Sequence, residues 1–289
     1  MKIRKAVIPA AGIGTRFLPW TKSMPKEMLP IVDKPVIQYV VEECVNSGIK
    51  EIIIVYSQEK EAIKEYFSEN KKFEEKLKQQ GKIDRIFSVQ NLLKKAKITF
   101  ILQTGPYGNA TPILASEKVI GKEPFAVLWG DQFIWAKPER LKQCLSIFEK
   151  FKNPVIAGIR VGKIETRNRG MCQTKPLTAR THILEKIWEK PGPEKAPSDL
   201  AAYGTYLLTP DIFPLLKKIK PTRDGEYWLV DAINLLARKR RVLVHELSNA
   251  KLYDAGTKLN YHKTVIDFMF KDKEIGQKMK DYLKGKKLV

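Results

Sequence analysis

Hydrophobic positions along the chain follow two patterns that alternate. Short, nearly continuous apolar runs occur at Lys5–Ile8 (KAVI), Glu51–Tyr56 (EIIIVY), Lys97–Leu102 (KITFIL) and Phe125–Leu128 (FAVL). Runs of this length, rich in β-branched residues, predict strands buried on both faces. Between them, apolar residues recur every three or four positions. Ile37, Val40, Val41, Cys44 and Val45 form one such stripe, and Gly48 supplies a stop, which predicts a helix over Ile37–Ser47. Leu141, Leu145 and Phe148 form another within Pro138–Phe151, broken by Asn153-Pro154. The β–loop–α–β order predicts a mostly parallel sheet covered by helices.

The later chain continues the theme. Pro154–Val161, Ile183–Trp188, Ala202–Leu208 and Val242–Glu246 predict strands, and Pro210–Leu216 and Tyr261–Phe270 predict helices. Gly170 is expected near a turn. Glu59–Leu93 is charged and mainly helical, with Asn70 and Gly81 as breaks; the section Lys71–Lys97 is read as an outlying helical excursion or a subunit contact. The basic end Lys271–Val289 predicts a packing helix with a frayed tail. The expected organisation is a body of residues 1–262 followed by a basic C-terminal helix and tail, 263–289.

Composition narrows the function classes. No eighteen-residue apolar run occurs, so no membrane span is expected. The N-terminal apolar run is cut by Pro9, two glycines and Arg16, too short for a signal peptide, and a cytoplasmic protein is expected. Cys44, Cys144 and Cys172 lack paired spacing, which suits a reducing compartment, and His182, His245 and His262 make no zinc pattern. The net charge of +21 raises nucleic-acid binding, but no nucleic-acid module is visible, so no specific nucleic acid is expected.

The chemistry concentrates in Pro9–Leu29, PAAGIGTRFLPWTKSMPKEML. It follows the first strand, passes Gly12 and Gly14, and carries Arg16, Lys22 and Lys26. Glycines let backbone N–H groups approach an anion, and the cations neutralise phosphate charge. The residues alone fit a polyphosphate cradle or an ordinary strand–turn–helix start. Neither a dinucleotide fingerprint nor a Walker A loop fits, because Phe17 holds the third glycine's place and no Gly-Lys-Ser/Thr is present here. Asp131, just past a strand, suits a hard cation or a turn.

The full string resembles the sugar-nucleotidyltransferase signature, glycine-x-glycine-threonine-arginine followed by proline–lysine–glutamate at Pro25-Lys26-Glu27. Within that superfamily it is most similar to the bacterial UTP–glucose-1-phosphate uridylyltransferases, and the likeness runs on through Leu29-Pro30-Ile31-Val32-Asp33-Lys34-Pro35. The resemblance implies a nucleotide-diphospho-sugar transferase fold, a Rossmann-like three-layer α/β sandwich with a mixed, mainly parallel sheet. It implies nucleotide contacts from Ala10, Ala11, Gly12, Gly14, Thr15, Gln103 and Gly108. Arg16, Lys26 and Lys190 are implied as catalytic cations, Gly170, Glu189 and Gly204 as sugar contacts, and Asp131 and Asp254 as ligands of Mg²⁺. The implied substrates are UTP and glucose 1-phosphate, in a homo-oligomer, with a thymidylyltransferase or another sugar-1-phosphate nucleotidyltransferase as the alternative, and a non-catalytic regulatory or nucleic-acid-binding protein of the same fold after it. Glu226 and Asp231 either organise the sugar side or cap a helix. Two departures stand out. Asn109-Ala110-Thr111-Pro112 replaces the usual leucine–glycine–histidine–alanine, and Asp199 stands where asparagine is usual.

Overall fold

The computed structural model describes residues 2–222 and 225–286 and, at Asp254, the backbone alone. Strands β1 (Lys5–Pro9), β2 (Glu51–Tyr56), β3 (Lys97–Leu102) and β4 (Phe125–Leu128) form a parallel block, with β1 between β2 and β4 and β3 outside β2. Alternate residues of this block feed two cores. Ala6, Ile8, Ile52, Ile54 and Leu128 face one layer, which includes helices α1 (Val36–Asn46) and α2 (Arg140–Phe151). Val7, Ile53, Val55, Phe125 and Val127 face the other, which includes α3 (Leu229–Lys239). Burial on both faces explains why β1, β2 and β4 read as continuous apolar runs, whereas β3, at the edge, is only partly buried.

Further strands are β5 (Gln132–Ala136), β6 (Val155–Arg160), β7 (Gly170–Pro176), β8 (Thr181–Glu189), β9 (Leu200–Leu208), β10 (Leu243–Glu246) and β11 (Ala250–Asp254). The nine-stranded sheet runs β3-β2-β1-β4-β9-β6-β10-β8-β7. It is mixed: β6 and β10 add one parallel pair, and the remaining neighbours of this half are antiparallel. Gly170 begins β7 opposite Glu189, directly after a bend at residues 168–169. A Cβ there would come within 2.9 Å of Ile187 Cγ2, so the glycine serves close strand packing.

Strands β5 and β11 form a separate antiparallel pair that the sequence pattern did not predict. Phe133 on β5 stacks on Tyr39 of α1 at 4.9 Å and on Tyr253 of β11 at 5.4 Å. Phe268, on α4 (Lys258–Lys271), meets Phe133 edge-on at 5.4 Å. This aromatic cluster fastens α4 to α1. Helix α4 runs unbroken across position 262, and α5 (Gly276–Gly285) follows. Residues 287–289 of the expected tail lie outside the described residues. The charged excursion is helical at Glu61–Tyr66, Lys71–Gln79 and Phe87–Lys95. Asn70 caps the second of these by accepting from Phe73 N at 3.1 Å. Among the described residues no helix is long and apolar enough to cross a membrane.

Candidate active site

A cleft of about 270 Å³ opens where β1, β3 and β4 end, lined by Ala11, Gly12, Lys26, Gln103, Gly108 and Asp131 among others. Ligands of open α/β sheets bind outside such carboxyl ends. Ala10 does not line it; its N–H donates to Val55 O at 2.7 Å and extends the sheet. Gly14 turns the loop in the left-handed region, φ 75°, and its carbonyl accepts from Phe17 N and Thr21 Oγ1. The turn starts at Thr15 and sends Arg16 toward a second lobe of about 280 Å³, where Arg16 Nη1 donates to Gly256 O at 3.4 Å. Asp131 and Gln132 line both lobes and join them.

Lys26 Nζ lies 2.5 Å from Asp131 Oδ2. Burial opposes both charges, but each partner holds the other ionised: Asp131 and Glu27 lift the Lys26 ammonium above its ordinary value, and Lys26 keeps the Asp131 carboxyl below its own. Behind them sits a pair that sequence reasoning missed. Lys60 Nζ donates to both carboxylate oxygens of Glu27, at 2.7 and 3.0 Å, with both side chains buried. Burial pushes the Glu27 carboxyl up and the Lys60 ammonium down. Gly130 permits this packing, since a Cβ there would lie 3.2 Å from Pro9 O and 3.4 Å from Glu27 Cγ.

On the Gln103 side, Gly108 has a local reason to be glycine. Its φ is 138°, and a Cβ would fall 2.3 Å from the backbone N and O of Tyr227. The two segments are stitched by Tyr227 N to Tyr107 O and Ala110 N to Tyr227 O, both 3.0 Å. Asn109, the first residue of the unusual stretch, accepts from Leu229 N at 2.7 Å and so caps the start of α3.

Gly170, Glu189 and Lys190 come together at the ends of β7 and β8, but they line neither lobe. Lys190 sits over the Trp228 ring at 5.5 Å, and Trp228 Nε1 donates to Glu226, which does line the cleft. Burial raises the Glu189 carboxyl against the opposing pull of Lys190. Asp231, in the first turn of α3, is also raised by burial. Gly204, φ +67°, packs on the guanidinium of Arg140. Asp199 lies at the surface, half-exposed, paired with Arg160 at 2.5 Å. Asp254 pairs through its backbone with Gln132; its side chain lies outside the description. Among the described residues no group of three or more His, Cys, Asp or Glu is placed to hold a metal.

A family model for nucleotidyl transferases matches residues 5–268. The chain belongs to the nucleotidyl transferase family. It is 40% identical over 284 residues to a Bacillus subtilis (strain 168) protein named UTP–glucose-1-phosphate uridylyltransferase, covering 98% of this chain and 97% of that one. Among solved structures it is similar to a UDP-glucose pyrophosphorylase complexed with UDP-glucose, with TM-score 0.86 and 35% identity over 93% of this chain and 100% of that one. It is also similar to a UTP-bound UGPase from Acinetobacter baumannii, with TM-score 0.88 and 31% identity over 97% and 98%. As a nucleotidyl transferase, the chain carries its glycine loop, its Lys26–Asp131 pair and Gln103 on one cleft.

Proposed function

We propose that the protein converts UTP and glucose 1-phosphate into UDP-glucose and pyrophosphate. The observation that carries this reading is the Lys26–Asp131 pair in a cleft shared with the glycine loop and Gln103, in a chain similar to uridylyltransferases over nearly its whole length.

The sugar phosphate is already a nucleophile, so no protein base is needed. Its oxygen attacks the α-phosphorus, the α–β bridging bond breaks, and pyrophosphate leaves in line. The protein's task is to align two anions and disperse their charge. Gly12 and Gly14 give the loop its close backbone approach, with Ala10, Ala11 and Thr15 completing it. Lys26 meets the nucleotide phosphates and Arg16 the departing pyrophosphate. Gln103 offers a donor and an acceptor to the base edge, and Gly108 shapes that wall. Glu189, Gly170 and Gly204 belong to the sugar side and Lys190 to the sugar phosphate; the link through Trp228 and Glu226 to the cleft supports that placement.

A magnesium ion fits the residues present. Asp131 is held ionised, and Mg²⁺ commonly takes one or two carboxylates with phosphate oxygens and water completing its shell. Asp131 and Asp254 would hold it, and when bound it supplies charge neutralisation at the phosphates. The same proposal has one nucleotidyltransferase unit with an appended C-terminal helical segment, assembled as a homo-oligomer. Light scattering on the purified protein tests the assembly.

The test of function is pyrophosphate release with Mg²⁺ and glucose 1-phosphate, using UTP beside dTTP, ATP, CTP and GTP. Turnover dominated by UTP is expected. Turnover dominated by dTTP moves the specificity to thymidine, and silence with every nucleotide refutes the reading.

A further inference from the structure

Three features near the cleft are unexplained by the roles assigned so far. Arg140 is fully buried, with 0% exposure. Its Nε donates to both oxygens of Glu43, at 3.1 and 3.0 Å, and its Nη2 donates to Gln132 O at 3.2 Å. Glu43 also accepts from Leu141 N at 3.0 Å. Yet Arg140 Nη1 has no hydrogen-bond partner among the described residues. A buried donor left unmade is costly, so its surroundings call for a reason.

The second feature is Gln132. It follows Asp131 directly and lines both lobes. Its carbonyl is fixed by Arg140, while no hydrogen bond to its side-chain amide occurs among the described residues. The third is Gly204. A Cβ on this residue would lie 2.6 Å from Arg140 Nη1 and 3.6 Å from Gln132 Oε1. The missing side chain thus lets the unpaired guanidinium nitrogen pack against Gly204, with the unpaired amide oxygen of Gln132 bordering the same place.

We infer that Gln132 is a substrate-binding residue whose side-chain N–H groups donate to a phosphate oxygen at the junction of the two lobes, with Arg140 as the positioning residue that takes its carbonyl oxygen. This rests on the proposed reaction. A glutamine amide can present either its donor or its acceptor to a ligand. A guanidinium can only donate, so the amide oxygen turns toward Arg140 and the nitrogen is left facing the cleft. In the structure the amide oxygen borders Nη1 without bonding it; the contact, made when the phosphate binds, satisfies Nη1 and converts an ambivalent amide into a dedicated donor, suited to an anion. Gly204 supplies the room. The Glu43 carboxylate behind Arg140 anchors the arrangement to α1, so the donor is held by rigid elements.

Gln132→Glu separates this role from a structural one, because glutamate keeps an acceptor for Arg140 and removes the donor. The wild type and the variant are compared by steady-state kinetics, by calorimetric binding of UTP and of glucose 1-phosphate, and by thermal melting. The expected result is a loss of roughly 10- to 100-fold in kcat/KM, the size of a hydrogen bond to a charged group, with no fall in melting temperature. A loss confined to UTP assigns the contact to the nucleotide phosphates, and one confined to glucose 1-phosphate assigns it to the sugar phosphate. Gln132→Ala should lose activity to a similar degree. Wild-type kinetics and binding in Gln132→Glu overturn the inference, as does a loss of activity that merely follows a lowered melting temperature. A wild type that binds UTP without turnover refutes the proposed reaction while the binding comparison still reads the contact. A wild type that binds neither ligand overturns both.

Discussion

Lys60→Met isolates the buried pair behind the cleft. The change keeps the aliphatic volume and strands the Glu27 carboxylate, which is 1% exposed, beside Lys26 and Asp131. Breaking a buried pair by removing one partner costs about 3–5 kcal/mol. At about 2 °C per kcal/mol for a chain of this length, the melting temperature should fall by roughly 6–10 °C. The deficit has a pH signature. Burial already raises Glu27 above its ordinary 4.5, and losing Lys60 raises it further. A carboxyl with a raised folded pKa holds its proton more tightly in the native state. Its stability contribution is therefore fully present below the ordinary value and is lost as pH climbs through the raised one. The gap between variant and wild type should narrow on acidification toward pH 4.5. The double variant Glu27→Leu/Lys60→Met removes both charges and should recover most of the loss. Scanning fluorimetry between acid and neutral pH reads all of this. A single variant within 2 °C of wild type at neutral pH, a span worth only about 1 kcal/mol, would refute the reasoning, as would a double variant less stable than the single.

Asp131→Asn should lower kcat/KM roughly a thousandfold, the scale of losing a charged group at a reacting centre; near-normal pyrophosphate release would remove Asp131 from the metal role. Gly108→Ala drives a Cβ into the Tyr227 backbone and should destabilise by about 1–3 kcal/mol, read as a lowered urea midpoint; an unchanged midpoint would mean that the 105–110 loop yields freely. Asp199→Asn removes a half-exposed partner of Arg160, so its stability should change by no more than about 1 kcal/mol and its sugar preference should not change. A shifted ranking across a panel of sugar 1-phosphates would give Asp199 a part in sugar specificity.

The fold was legible wherever burial was symmetrical. KAVI, EIIIVY and FAVL are strands at the positions their patterns indicate, because both faces of each are covered; KITFIL is a strand where its pattern indicates as well, but at the sheet edge and only partly buried. The β5–β11 pair was not legible. Its partners lie more than a hundred residues apart, and short mixed runs such as Gln132–Ala136 carry no clear period. In the candidate site, a contiguous string marked the glycine loop and Lys26, only the family resemblance singled out Gln103 and Asp131, and the fold gathers these residues on one cleft. Glu27–Lys60 and Glu43–Arg140 were hidden for the opposite reason: charged residues are expected on the surface, and only the folded chain pairs them inside. Gly108 and Gly204 were noticed as glycines, but their immediate neighbours, Tyr227 and Arg140, come from distant segments.

The β5–β11 pair also bears on synthesis. The ribosome delivers the loop, Lys26, Gln103 and Asp131 early, while the strand that braces Gln132 and the Gly256 carbonyl that receives Arg16 emerge only near the end. A nascent or truncated chain lacking residues 250–256 has most of the wall of the cleft and not its buttress. An early and a late segment thus meet in one lobe at Arg16 and Gly256, so a chain stopped before residue 250 is expected to lack activity.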